Sequence, residues 1–498
     1  MWVDGTAPSV LDGMALGALD GASWGVGDLA RELVGVGALA LLLLFPGLAL
    51  ARARWTAVPF LSLSFWIASW WWIGAMGGGR RRFLLVLLAG FLVLAGLRLL
   101  KPWLAERPSV ASLAVLGGAA ALALPHVLEP VPFGSDSSFR ALQALLLVWR
   151  DGMPSSYEPL LPAAGFGASP TGLAGLAADV TLLSGLPVYR ATVLVSHAGC
   201  GLLALALFAL LRSREEVAAA AGALVAVTSA VGLQLAMSPD SEVSWLASAL
   251  VVASATIAGA GGAHRGLAAG VLLGAAMVTE PFVAVFGLAA MAVAKPGLVG
   301  RDEAGLSALL WGSVAAIIVA APFLWTIAIG LAAGTVSFEG QASTTALAVM
   351  PVAIAGLVLP AMRRGRHASA ETRRRYRRPV LGVALLASLA TGAAAGVRRG
   401  GAQGVTGDDL QAMLWLVRHT RQSDAVCNTG EGGGPWIPGV AGRAVTRPRR
   451  AGPFPPVPQD RTRGSCQWIY TSGSGHGQSA FESGPVRILN ARSADLQR

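Results

Sequence analysis

The amino-acid sequence predicts an all-α polytopic membrane protein with about twelve transmembrane helices and a small α/β domain at its carboxyl end. The first reason is composition: 54% of the 498 residues are hydrophobic and 13% are charged, whereas an average soluble protein carries about 25% charged residues. The second is a series of apolar blocks from residue 33 to residue 396, each near the length of about 20 residues that crosses a bilayer. The third is a change beyond residue 397, where Gly, Pro, Ser and Arg become abundant.

The candidate spans share an apolar run of roughly membrane-crossing length. They cover residues 33–51, 56–76, 83–100, 109–125, 189–211, 216–236, 243–260, 266–294, 303–333, 344–361 and 379–396. Block 266–294 is interrupted at Glu280-Pro281. Basic residues flank this block on both sides. If both flanks are cytoplasmic, the block is a hairpin of two short helices with Glu280-Pro281 at the outer turn. Block 303–333 contains Pro322 but is predicted to cross once.

One basic loop sets the predicted orientation. Residues 362–379 carry eight arginines and one glutamate, so the positive-inside rule places them in the cytoplasm. Counting spans outward puts loop 129–187 and everything after residue 397 on the external side. Arg80, Arg81 and Arg82 disagree with this rule, because the same count places them outside as well.

The predicted organisation is a transmembrane domain over residues 1–397 and an extracytoplasmic domain over residues 398–498. External loop 129–187 is expected to carry two interfacial helices. Segment 138–149 has an apolar stripe, with Asp136 or Ser137 as its N-cap. Segment 171–186 is apolar but short and contains Asp179, which favours a helix lying at the membrane surface.

The carboxyl-terminal region contains patterns of both structural types. Residues 408–418 predict an amphipathic helix, and residues 465–471 and 485–489 predict strands. Cys427 and Cys466 fall in or beside the strands. Outside the cytoplasm they could form a disulfide; two separate buried thiols are the alternative.

Several carboxylates fall on the predicted external side. They are Asp136, Glu158, the Asp240 and Glu242 pair, and Glu280. Carboxylates within membrane segments are costly, so those that occur there need a reason. Asp136 is either a helix cap or a base that takes a proton from an acceptor hydroxyl. For Glu158 and Glu280, a solvated loop residue or a helix end is the alternative to a secondary acidic role in catalysis. Ordinary turn and helix-cap chemistry explains Asp240 and Glu242.

Arginines on the same side could bind an anion. The guanidinium groups of Arg140 and Arg190 suit a lipid phosphate, or alternatively reach toward headgroups. The net charge of +11 reflects cytoplasmic loops rather than nucleic-acid binding. Without a Walker A motif or a strand-linked GxGxxG, nucleotide-driven chemistry has no support. No metal-ligand spacing is present, and a divalent metal ion stays an open alternative.

The order of features in loop 129–187 resembles a known superfamily. Gly134-Ser135-Asp136 opens the loop, followed by the amphipathic helix, Asp151-Gly152-Met153-Pro154, a Tyr- and Pro-rich stretch and an apolar helix. This order is similar to that of the polytopic GT-C glycosyltransferases, especially bacterial relatives of protein mannosyltransferases and arabinosyltransferases.

The resemblance implies an integral membrane glycosyltransferase of the bacterial plasma membrane. It would transfer a sugar from a polyprenyl-phosphate donor to an external glycan, lipid or protein acceptor. Asp136 would be the catalytic loop acid, Glu158 and Glu280 secondary acids, and Arg140 or Arg190 the ligand of the donor phosphate. A transporter or flippase of a lipid-linked molecule and a non-catalytic membrane scaffold are the alternatives.

Overall fold

The fold is known from a computed structural model. It describes residues 26–50, 55–98, 109–127, 131, 137–161, 163, 165–212, 215–237, 245–258, 263–294, 303–334, 383–388, 390–391, 405–428, 433–446, 466–472 and 479–491.

A mostly helical body precedes a small sheet, which confirms the coarse fold class. The helices of the body are α1 Val26–Leu44, α2 Gly47–Leu50, α3 Val58–Ala75, α4 Arg80–Arg98, α5 Val110–Val127, α6 Ser137–Arg150, α7 Gly172–Ser184, α8 Val188–Leu211, α9 Glu216–Met237, α10 Trp245–Ala258, α11 Ala263–Thr279, α12 Pro281–Ala294 and α13 Glu303–Ala332. Predicted spans between residues 26 and 334 therefore coincide with helices. Span 344–361 lies outside the described residues, and residues 383–388 of span 379–396 are helical.

Among the described residues, three helices are long and apolar enough to cross a membrane. They cover Trp55–Ala75, Val188–Leu211 and Ser307–Ala332. Other apolar helices are shorter by this criterion, such as Trp245–Ala258 and Ala263–Thr279. The twelve crossings inferred from the sequence stay a prediction.

Helices α11 and α13 pack through small residues that bring their backbones together. A Cβ atom built on Gly270 would lie 2.0 Å from the carbonyl oxygen of Gly312. One turn to either side, Gly266 meets Ala308 and Gly274 meets Ala316. Small residues at every fourth position allow this close approach, as in many membrane helix pairs. Successive residues of α11 contact successive residues of α13 in the same order along the chain, so the two helices run parallel.

This parallel packing requires the chain to turn back between α11 and α13. A straight helix from Ala263 to Ala294 would be about 47 Å long, and the eight residues that follow can span only about 30 Å. The turn falls at Glu280, whose N–H donates to Ala276 and whose carbonyl accepts from Ala284, at 2.8 and 3.0 Å. Pro281 then begins α12. The predicted division of this block into two short helices at Glu280 is confirmed, and the placement of the turn on the outer side stays a prediction.

The two predicted loop helices form where the sequence placed them, but both are buried in protein. Residues 172–181 of α7 and 137–147 of α6 are all buried. Helix α7 packs on α1, α3, α6, α8 and α11. Both helices are therefore enclosed by protein rather than exposed along one face, and their position relative to the membrane surface stays a prediction. The charge of Asp179, which suggested a surface helix, is neutralised inside the protein.

The carboxyl-terminal domain combines two helices with a five-stranded sheet. Its elements are α14 Gly407–His419, α15 Ile437–Ala441, β1 Ala425–Cys427, β2 Ala444–Val445, β3 Trp468–Ser472, β4 Ser479–Ser483 and β5 Val486–Asn490. The strand order is β2-β1-β3-β5-β4. Strand β1 runs parallel to β2 and β3, and β5 runs antiparallel to β3 and β4. The predicted helix and two predicted strands are confirmed.

Within this domain, α14 is tied to the sheet by a buried hydrogen bond. The Tyr470 hydroxyl donates to Asp409, which also completes the capping box of α14 with Thr406. Burial, followed by the Asp409 carboxylate, raises the pKa of Tyr470, so this hydroxyl stays protonated and remains a donor. The buried bond fixes the helix over the strands.

A disulfide joins Cys427 to Cys466, with 5.6 Å between their Cα atoms. It links strand β1 to the residue two positions before β3. The two cysteines therefore form a disulfide and are not two separate buried thiols.

The domain also shares its core with the helical body. Gly439 in α15 lies against Ala141 of α6, and Gly442 lies against Trp149. Tyr189 at the start of α8 belongs to the same apolar cluster as the domain core. Helix α6 is therefore held between the helical body and the carboxyl-terminal domain.

Close packing of α11 on α13 predicts that Gly270→Ala destabilises the protein. The added methyl group would press on the Gly312 backbone, and such overpacking typically costs about 1–3 kcal/mol. The midpoint of thermal aggregation in detergent should fall by several degrees. Gly90→Ala is the matched control, because Gly90 lies in α4 with no atom within 4 Å of the added Cβ. An equal midpoint for both variants would contradict the close packing.

Candidate functional site

Three ion pairs surround α7, and the innermost joins Arg80 to Asp179. Arg80 Nε lies 2.8 Å from Asp179 Oδ1, and Nη2 lies 2.6 Å from Oδ2. Both side chains are fully buried. This two-bond geometry is the one in which a guanidinium best neutralises a carboxylate.

The third guanidinium nitrogen of Arg80 is also hydrogen-bonded. Nη1 donates to Ser69 Oγ at 2.6 Å, and Nη2 approaches the Trp66 carbonyl at 3.3 Å. The guanidinium carbon lies 4.6 Å from the centre of the Trp70 ring, a cation–π contact. Arg80 is therefore a buried structural cation, which explains why its position disagreed with a rule for loop charges.

Asp151, from the Asp-Gly-Met-Pro motif, supports the start of α4. Its carbonyl accepts from the N–H of Arg80 at 2.7 Å, and its Oδ1 accepts from the N–H of Arg81 at 2.6 Å. Asp151 adopts a left-handed backbone with φ of +49°, which Asp tolerates better than most residues. The motif thus fixes the end of α6 to the start of α4.

A second pair joins α6 to the turn of the α11–α12 hairpin. Arg140 Nη2 lies 3.3 Å from Glu280 Oε2, and the two side chains are 8% and 12% exposed. The preceding Thr279 packs against Gly172, where α7 begins. Arg140 and Glu280, predicted separately from the sequence, are thus brought together.

Behind Arg140, α6 contacts a buried tyrosine. Gln143 donates to the Tyr157 hydroxyl at 3.2 Å, and Ser169 also bonds this hydroxyl. Burial raises the pKa of Tyr157, so the phenol stays neutral. The network holds α6 against the segment that leads into α7.

The third pair joins α8 to α1. Arg190 Nε lies 2.6 Å from Glu32 Oε1, with side-chain exposures of 8% and 12%. The sequence interpretation treated Arg140 and Arg190 as cations at the water interface. That interpretation is wrong for both, because each is largely buried and has a carboxylate partner.

The other predicted acids have different settings. Glu158 is exposed in a turn beside buried Tyr157. Asp136, Asp240 and Glu242 lie outside the described residues. Helix α6 begins at Ser137, immediately after Asp136, which agrees with the predicted helix start.

In the described part of the chain, no three His, Cys, Asp or Glu side chains gather as a metal site would require. Three charged residues of the ion pairs were missed as partners by the sequence analysis: Glu32, Arg80 and Asp179. Two features of the sequence pointed to the Arg80–Asp179 pair. Asp179 lies inside an apolar segment, and Arg80 belongs to an arginine cluster that the positive-inside rule would not place on the external side.

The buried Arg80–Asp179 pair predicts severe destabilisation by Arg80→Met. The change would leave Asp179 buried without a cation, and removing one partner of such a pair costs about 3–5 kcal/mol. Heating of the purified variant in detergent should give a much lower aggregation midpoint, or the yield should collapse. Arg82→Met, at an exposed position two residues later in α4, should behave as wild type. Equal stability of both variants would refute the structural role of Arg80.

The candidate site therefore consists of three largely buried guanidinium–carboxylate pairs and of helix α6, which begins immediately after Asp136. No protein-family model and no curated protein matches the chain.

Proposed function

We propose that this protein is an integral membrane glycosyltransferase that moves a sugar from a polyprenyl-phosphate donor to an extracytoplasmic acceptor. The observation that carries the proposal is the position of α6. It follows the loop acid Asp136, bonds through Arg140 to the Glu280 turn, and packs under the carboxyl-terminal domain. A catalytic carboxylate needs such a rigid support.

Asp136 serves as the general base in the proposed reaction. Its carboxylate takes the proton of an acceptor hydroxyl while the hydroxyl oxygen bonds to the anomeric carbon of the sugar. The bond between that carbon and the donor oxygen breaks, and polyprenyl phosphate leaves with the electron pair. Glu280 holds Arg140 and thereby orients α6. Exposed Glu158 is a weaker candidate for a direct role.

The distribution of buried charge supports an enzyme over a flippase. A flippase needs polar groups along a path that opens to both faces of the membrane. In the described helices, the three largely buried ion pairs gather around α7 and its neighbours. Buried charge that gathers around one helix, rather than along a path between two faces, suits a reaction at one membrane surface.

Asp136→Asn should abolish transfer without affecting insertion, because the amide cannot accept the acceptor proton. Cells that lack the gene would be complemented with wild type or variant, and mass spectrometry would compare their envelope glycans and glycolipids. Wild type should restore a species that the variant does not restore at equal protein level. Glu216→Gln, at an exposed acid of α9, is the matched control. Full restoration by Asp136→Asn would remove Asp136 from the mechanism.

The disulfide gives an independent test of sidedness, since such bonds persist in oxidising compartments. In a Cys200→Ala background, intact cells would receive a membrane-impermeant reductant and then an impermeant maleimide. Cys427 and Cys466 should become labelled. A Glu216→Cys variant, at a site predicted to be cytoplasmic, should label only after lysis. Labelling of the disulfide pair only after lysis would place the carboxyl-terminal domain in the cytoplasm.

A further inference from the structure

Helix α4 turns back along a helix that is long and apolar enough to cross a membrane. That helix, α3, belongs to the segment Trp55–Ala75, and a turn of three glycines leads from it to the start of α4 at Arg80. The ring centre of Phe91 in α4 lies 5.5 Å from that of Phe65 and 6.4 Å from that of Trp66 in α3, so the two helices run antiparallel. The first turn of α4 therefore lies level with the end of the α3 segment, where a membrane-spanning helix meets the lipid headgroups.

The outer face of α4 is apolar and exposed. Leu85 and Leu92 are 54% and 46% exposed, and Val86 and Val93 are 70% and 62% exposed. The members of each pair are seven residues apart, which is two helical turns, so all four lie on one face. The opposite face is buried and contains Leu84, Leu88 and Phe91. The exposed stretch from Leu85 to Val93 is about 12 Å long, close to the roughly 15 Å of hydrocarbon in one leaflet.

Two arginines lie at the end of this apolar face. Arg81 lies one turn before Leu85, and residues four apart share a helix face. Arg82 lies one turn before Val86 in the same way, and both arginines are exposed. Asp151 accepts a hydrogen bond from the backbone N–H of Arg81. Within the described part of the chain, neither arginine side chain forms an ion pair. Two cationic groups therefore lie at the headgroup end of the face without a carboxylate partner among the described residues.

An anionic phospholipid matches both parts of this surface. Its phosphate would accept hydrogen bonds from the guanidinium groups, and its acyl chains would cover the apolar face. Anionic lipids attract arginines that lie close to the membrane surface. A second copy of the chain is a poorer match for this face, because residues 81–93 contain no acidic side chain to meet the arginines.

We propose that Arg81 and Arg82 bind the phosphate of an anionic phospholipid whose acyl chains lie along Leu85, Val86 and Leu92. The inference is independent of the proposed transfer reaction, since it needs only contact between α4 and the bilayer. Phosphate headgroups lie on both faces of a bilayer, so such a site explains arginines on a side where the positive-inside rule does not place them.

Binding of short-chain phosphatidylglycerol to the purified full-length protein in neutral detergent tests the site. Wild type should bind dioctanoyl phosphatidylglycerol at least ten-fold more tightly than two other probes. Dioctanoyl phosphatidylcholine has the chains without the net negative charge, and inorganic phosphate has the charge without the chains. Arg81→Gln combined with Arg82→Gln should weaken phosphatidylglycerol binding about ten-fold or more. Arg81→Lys combined with Arg82→Lys keeps both charges but not the planar fork, so its loss should be smaller.

Arg418→Gln combined with Arg421→Gln is the matched control. It removes two exposed arginines of the carboxyl-terminal domain and should bind as wild type. In detergent without phospholipid, the glutamine variant of Arg81 and Arg82 should keep the wild-type aggregation midpoint. Unchanged phosphatidylglycerol binding by that variant, or an equal loss in the control, would overturn the site. Equal wild-type affinity for phosphatidylcholine or for inorganic phosphate would reject an anionic phospholipid as the ligand. Cross-linking of Val86→Cys between two molecules would assign the face to a second copy of the chain instead.

Discussion

The buried pair between Arg80 and Asp179 is the constraint on which the surrounding structure depends. Taking two charges out of water costs several kcal/mol for each ion, and only close geometry with further hydrogen bonds offsets that cost. Arg80 meets this condition through two bonds to Asp179, one to Ser69 and a cation–π contact with Trp70. Because its one carboxylate is neutralised, α7 can lie inside the protein rather than at a surface.

Burial of α7 in turn positions the groups proposed to act. Its first residue packs on Thr279, next to the Glu280 turn, and the residues after its last turn lead to Arg190 in α8. Helix α6 packs on it and carries Arg140. The turn at Glu280 exists because Pro281 cannot continue the donor pattern of a helix and because α11 and α13 pack in parallel. The close glycine contacts between α11 and α13 and the pairing of Arg80 with Asp179 thus both favour the same packing of helices around α7.

The sequence could predict elements that depend on local pattern. Apolar periodicity located α6, α7 and α14, and the interruption at Glu280-Pro281 located the hairpin. It could not predict partners, because Arg80 and Asp179 are 99 residues apart and hydropathy says nothing about pairing. The same limit turned α7 into an expected surface helix. The spacing of Gly266, Gly270 and Gly274 was a readable sign of close helix packing, yet only the structure identifies α13 as the partner.

The three ion pairs differ in burial and in the number of bonds between the partners, and this difference distinguishes the pair that stabilises the fold from the two outer pairs. Arg80 and Asp179 are fully buried and joined by two short bonds, so exchange of either partner for a ligand would expose an uncompensated charge. Arg140 with Glu280 and Arg190 with Glu32 each retain exposures of 8% and 12%. Partial access to water lowers the cost of rearranging these two pairs. The outer pairs are therefore the more easily rearranged, while the inner pair maintains the fold.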